Sequence, residues 1–324
     1  MRFLKARDLY LVLVIALIKM ASWSPSSRLK ELVVSGIASA AYQFSKHKRL
    51  RIEENLSKAF GPTLTDEQKR QIVKGAFYEF WKAGLSILPS RAERRAIKRV
   101  NIQGIERLHR ALEDGKGVIL WESQFGRRML ACQILHEKGF SLHQVHAENH
   151  LWGFGGHSSS ISWVTRHVVR GAFARWEMQF VAEIIYLPRS GSLAFTRTLL
   201  RRLEQNAILC VTGDGRFGRR LIPLRFLGWT DFFSTGMVSL AKTCGAPILP
   251  VFCFHDRNDN MNLIIEGPIE IDTNLHRDRS LESSLAQYVG LLESYIRRYP
   301  EKYLQWHFPQ EAREHHAQGR INER

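Results

Sequence analysis

Two periods of apolar spacing alternate along most of this chain. "GVILW" (117–121) is a short, wholly apolar run of strand length. "SLHQVHA" (141–147), "EIIYL" (183–187), "AILCV" (207–211), "RLIPLRF" (220–226), "PILPVFCF" (247–254) and "NLIIEG" (262–267) are strand-like, and "IKRVNIQG" (97–104) alternates apolar with polar. Between them the spacing turns helical: 105–115 up to Gly115, from the end of the 117–121 run to about His136 with Gly139 beyond it, 191–204, 234–244, and 280–298 before Pro300. Residues 65–88 also predict a helix. Thr65 with Gln68 three residues on has the form of a capping box, and Pro89–Ser90 close the segment. Residues 151–180 read as a Gly/Ser-rich loop followed by a helix. Strands alternating with helices predict an α/β fold: a mixed, mostly parallel sheet covered by helices on both faces, with its ligand cleft outside the strand ends.

The N-terminal pattern differs. Residues 9–18, "LYLVLVIALI", are apolar throughout, preceded by Arg2, Lys5 and Arg7 and followed by Lys19 and Trp23. The run is half of the roughly 20 residues a spanning helix needs. Basic residues before an apolar core also fit a cleaved signal peptide, but no small-residue cleavage site follows. A second helical stretch, 29–44, has a wide apolar face and leads into the basic "SKHKRLR" (45–51). Residues 1–50 therefore predict membrane-associating helices on an anionic bilayer surface. The alternative is that both helices pack on the protein's own core. A main domain over 51–310 and a polar tail over 311–324 complete the expected organisation.

Composition sharpens this picture. The 324 residues are 44% hydrophobic and carry a net charge of +16, enough apolar material for a substantial core. The charge is lopsided: residues 1–110 hold 22 Lys+Arg against 9 Asp+Glu, whereas 111–324 hold 25 against 22. Such an excess suits an anionic partner. Nucleic acid is not expected, because no basic reading helix or aromatic RNA-binding pattern accompanies the charge. Cys132, Cys210, Cys244 and Cys253 lack metal-ligand spacing and read as free thiols, three of them in apolar stretches, so no metal is expected.

Candidate chemistry centres on "GVILWESQFGRRMLA" (117–131), a buried strand breaking into a helix. That stretch, "IEENLSKAFGP" (52–62), the whole of 211–252 beginning "VTGDGRFGRR", and "YIRRYPEKYLQWHF" (295–308) resemble the bacterial lipid A late (lauroyl/myristoyl) acyltransferases and the lysophospholipid acyltransferase-like group. The resemblance implies transfer of an acyl chain from acyl carrier protein or a coenzyme A thioester to a glycolipid or lysolipid hydroxyl. It implies membrane lipid as partner, no resident cofactor, and work at the cytoplasmic face of the bacterial inner membrane. The family motif is a His, four intervening residues, then Glu or Asp. The imidazole takes the acceptor's proton and the carboxylate orients it.

In the matching segment the His position is Gln124 and the acid position is Met129; Arg127 and Arg128 replace the usual Asn and Trp. An amide cannot remove a proton near neutral pH and a thioether carries no charge. General-base catalysis typically supplies ~10²–10⁴-fold, so the resemblance implies a lost or altered mechanism. The alternative is a non-catalytic protein that binds acyl chains or lipid, or supports a partner enzyme. His109…Asp114 and His143…Glu148 have the motif's spacing, and Glu122 is a candidate substitute base. Arg127, Arg189, Asp214 and Arg216 are candidate substrate- or phosphate-binding residues, each Arg weighed against an ordinary surface role. Phe226 and Phe232 border the acyl groove by resemblance, or are ordinary core.

Overall fold

A computed structural model describes residues 27–84, 86, 88–147, 170–188, 193–214 and 220–308, with Ala16 and Met20. Its centre is a seven-stranded sheet in the order β1-β9-β8-β2-β5-β3-β4. The strands are β1 (Asn101–Gln103), β2 (Val118–Glu122), β3 (Leu142–Ala147), β4 (Glu183–Leu187), β5 (Ile208–Thr212), β8 (Ile248–His255) and β9 (Met261–Ile265). Every pairing is parallel except β8 with β9. A separate antiparallel hairpin joins β6 (Leu221–Phe226) and β7 (Trp229–Ser234).

β2 is buried at all five positions, which explains why it reads as a continuous apolar run. Its side chains alternate between two cores. Ile119 and Trp121 join the larger one, with α2 (Lys46–Phe60), α3 (Asp66–Gly84), α8 (Leu193–Glu204), α9 (Gly236–Cys244) and α10 (Arg277–Arg298). Val118 and Leu120 face the other, built with α5 (Ile105–Glu113) and α6 (Arg128–Glu137). Helices thus cover both faces, as the alternation predicts.

Local signals hold at several boundaries. The Thr65 N–H donates to Gln68 Oε1 at 2.8 Å and the Gln68 N–H to Thr65 Oγ1 at 3.2 Å, so the capping box is real. α3 ends at Gly84. A short helix, α4 (Arg91–Ile97), follows, opened by a second capping box between Ser90 and Glu93, and the strand expected over 97–104 is confined to β1. α1 (Ser27–Phe44) lays Val34 and Ala38 against Trp81 of α3 and leaves Leu29, Leu32 and Phe44 exposed. Part of the 29–44 stretch therefore packs on the protein's own core. Residues 9–18, apart from Ala16, and Trp23 lie outside the described residues. Among the described residues no helix is long and apolar enough to cross a membrane.

Candidate functional site

The chain leaves β2 at Ser123 and turns through Gln124, Phe125 and Gly126 into α6. Gly126 sits at φ 58°, where a Cβ would strike the Cys253 carbonyl, so the close approach of β8 demands glycine. Backbone bonds fix the turn from several sides. The Gly126 N–H donates to the Lys302 carbonyl at 2.9 Å, the Leu304 N–H to the Gln124 carbonyl at 2.8 Å, and the Arg127 N–H to the Cys253 carbonyl at 2.6 Å. Asp214, buried just past β5, accepts the Gln124 N–H on both oxygens at 3.0 and 3.1 Å. Asn55 donates to the Trp306 carbonyl at 3.4 Å, tying α2 to the closing segment. All four stretches that carry the family resemblance thus converge here.

Gln124 is half-buried at this edge. Met129 is buried, and with Phe173 of α7 (Arg170–Glu177) forms an apolar cluster that also takes in Leu88 and Trp176. A carboxylate there would lose solvation, with the Trp176 indole N–H the one donor group among those side chains. Arg189 and Arg216 lie outside the described residues, as does Glu148. His109 and Asp114 are both exposed. His143 is half-buried, its pKa lowered chiefly by burial.

Glu122 is 2% exposed, at the centre of a polar cluster rather than at a solvated strand end. It pairs with Arg128 Nη1 at 3.5 Å and accepts from Gln144 Nε2 at 3.1 Å; Cys132 Sγ lies 3.4 Å from its other oxygen and 3.1 Å from Gln144 Oε1. The sulfur of Cys210 joins them, and one ligand atom each from Glu122, Cys132 and Cys210 fall within 4.8 Å of one another. The Cys spacing hides this convergence, because the three come from β2, α6 and β5. The set suits a hydrogen-bonded cluster better than a cation. A guanidinium already neutralises the carboxylate, and a hydrogen bond with Cys210 together with burial holds the Cys132 thiol well above its ordinary pKa.

Two features escape sequence reading. His146 Nε2 and Glu177 Oε1 stand 2.7 Å apart, both side chains almost wholly buried. His146 is two residues beyond Gln144 on β3, so it shares the Glu122 face and lies at the same C-terminal edge. An imidazole–carboxylate pair therefore exists beside the site, built from residues with no motif spacing. The second feature is the burial of Arg127, a residue the sequence does single out, without a carboxylate beside it among the described residues. The surface alternative fails for it and for Arg128, since both are buried. Arg127 Nη1 donates to Ser86 Oγ at 2.9 Å, but its Nε has no partner among the described residues, and no carboxylate there lies within 4 Å.

The model of the bacterial lipid A biosynthesis acyltransferases matches residues 1–149 and 180–308. The chain belongs to this family. No curated protein matches it. The family match breaks over 150–179, and Glu177, the acid beside His146, falls inside that gap. Phe226, in the family's hairpin-containing stretch, is wholly buried against Phe233 and Tyr303 and serves the core; Phe232 is half-buried.

Proposed function

We propose that this is a membrane-surface member of the acyltransferase family, engaging an acyl carrier protein or coenzyme A thioester and a lipid acceptor at the β2–α6 turn, in which the His/acid mechanism does not operate from the family's motif positions, Gln124 and Met129. The carrying observation is Met129, sealed in an apolar cluster at the place the resemblance assigns to the acid. The inner-membrane surface is supported by Leu29, Leu32, Phe44 and Leu50, exposed beside Arg28 and Lys46. Asp214 and Arg127 belong to the site by position, and Arg189 and Arg216 by resemblance.

A specific observation favours one form of altered catalysis over a purely lipid-binding role. His146 braced by Glu177 has the composition of a general base and its orienting acid, at the same sheet edge. In that form the imidazole takes the acceptor's hydroxyl proton, the new C–O bond replaces the C–S bond, and the leaving thiolate recovers the proton. The test is acyl transfer by the full chain in lipid vesicles, from acyl carrier protein and coenzyme A donors. Turnover abolished by His146→Ala and reduced by Glu177→Gln establishes the displaced pair. Turnover lost in Glu122→Gln alone assigns the base to Glu122. No turnover by the natural chain, with activity gained by Gln124→His/Met129→Glu, establishes a binding protein. Turnover unaffected by all three replacements overturns the proposed mechanisms.

A further inference from the structure

Arg127 is 2% exposed and carries a full positive charge. Burying a guanidinium without a close counter-ion costs several kcal/mol; Glu93 acts on Arg127 only from a distance and is already paired with Lys30, while Lys30 and Lys82 add positive charge. Lys82, on α3, has among the described residues one carboxylate within 4 Å, Glu31 at 3.8 Å and half in solvent, with Glu79 and Asp259 acting from further off; its ammonium also stands 5.0 Å from the Tyr78 ring centre. Lys302 and Lys30 are nearby but spoken for. Lys302 pairs with Glu79 at 3.1 Å, and Lys30 pairs with Glu93 at 2.6 Å.

A second orphan faces the same field. His255, at the end of β8, has a buried Nδ1 without a partner among the described residues. The Arg127 N–H bonds the carbonyl of Cys253, two residues before it, so the two side chains issue from adjoining backbone. His255 is held neutral, its pKa pushed down to about 3, first by burial and then by Arg127, Lys82 and Lys302. Burial likewise lowers the Lys82 pKa, and Arg127 is the next cause. Ser86 Oγ ties the two cations together, accepting from Arg127 Nη1 at 2.9 Å and donating to the Lys82 carbonyl at 2.8 Å; Arg127 is the buried member of the group, and Lys82 and His255 are half-buried.

The geometry points to a binding site for a phosphate group on Arg127, Lys82 and His255, between α3, the end of β8 and the start of α6. A guanidinium with no carboxylate within 4 Å among the described residues, beside an ammonium whose nearest described carboxylate is 3.8 Å away, matches the two charges of a phosphate better than the single charge of a carboxylate. Neutral His255 supplies an N–H donor, and Ser86 Oγ fixes the guanidinium. This goes beyond the proposed acyl chemistry, because holding a phosphate requires no transfer. Phosphate occurs both on a lipid headgroup and on the phosphopantetheine arm of an acyl donor, so the two sources must be separated by experiment.

The test uses the full chain and inorganic phosphate, titrated against chloride at constant ionic strength and read by thermal unfolding and calorimetry. The site predicts a saturable rise in the unfolding midpoint with phosphate. The rise disappears in Arg127→Gln, and the apparent affinity falls about tenfold in Lys82→Gln. Lys82 reaches solvent, so its variant keeps the test decisive if Arg127→Gln does not fold. A natural chain that responds to phosphate no more than to chloride overturns the proposal, as does a Lys82→Gln protein that binds phosphate as well as the natural one. With phosphate binding established, coenzyme A and phosphatidic acid in mixed micelles, each competing against inorganic phosphate, identify the source. Failure here leaves the acyl-transfer assay unaffected, so the two readings fall separately.

Discussion

Arg127 and Arg128 are consecutive, both buried, and opposite in circumstance. Arg128 turns to the α6 face of the sheet, where Glu122 neutralises it and Gln144 and Cys132 complete the cluster. Arg127 meets a serine hydroxyl and other cations, with no described carboxylate within 4 Å and Glu93 acting only from further off. Burial alone does not tell what a charged side chain is for; the partner does. A charge matched within the chain belongs to the fold, and one left unmatched marks a place for something outside it. The largest expected effect follows from the matched side. Arg128→Met leaves Glu122 buried beside two weak donors and should cost about 4 kcal/mol in urea unfolding. Adding Glu122→Gln should recover most of that. A double variant as unstable as the single one would show that the pair is not coupled and would dissolve the contrast.

Acid should probe both regions next. His307 is wholly buried, its ring nitrogen 3.0 Å from the Ala76 carbonyl, and burial pushes its pKa down to about 4. His255 is pushed to about 3. Both folded values lie below the unfolded value of about 6.5, so the unfolded chain binds the extra protons. Stability is therefore full above about pH 6.5 and falls as pH drops towards 4. At about 1.4 kcal/mol per unit, His307 accounts for about 3 kcal/mol. His307→Gln should flatten the slope of stability against pH in that window. Saturating phosphate should flatten it further by raising the His255 pKa. An unchanged slope in His307→Gln would remove the first statement, and a slope indifferent to phosphate the second.

The strand pattern carries most of the sheet, because fully buried parallel strands such as β2 read as unbroken apolar runs; the half-buried edge strand β4, expected over 183–187, also spans Glu183–Leu187. The hairpin was less legible. Its strand-like half, 220–226, pairs only with β7, across a turn at Leu227 and Gly228 with φ 51° and 88°. Leucine rarely adopts that conformation, so the usual Asn-Gly signal is missing. Helix α4, seven residues long, falls between the expected 65–88 helix and 97–104 strand, although Ser90 and Glu93 held its capping signal. At the site, the turn and its departure from the family motif were legible because they are local in sequence. His146 with Glu177, and Glu122 with Cys132 and Cys210, were not, since crossover connections bring them together. Gly126 falls between: its place in the turn is visible in sequence, but its necessity comes from β8. Gly126→Ala should cost about 2 kcal/mol and disturb both arginines at once. Full stability in that variant would show that the Cys253 contact does not define the turn.

The smallest expected change is the most telling for the contrast. Without phosphate, Arg127→Met removes a buried charge that has no carboxylate to leave stranded. It loses one hydrogen bond to Ser86 Oγ, worth about 1–2 kcal/mol, and is relieved of the guanidinium's desolvation. The net change in unfolding free energy should lie within about 1 kcal/mol of zero, against the large loss from Arg128→Met one residue away. In phosphate the two proteins should separate, because only the natural chain gains ligand-linked stability. A loss of several kcal/mol in Arg127→Met in chloride alone would mean that this guanidinium is as structural as its neighbour, and the asymmetry between the two arginines would vanish.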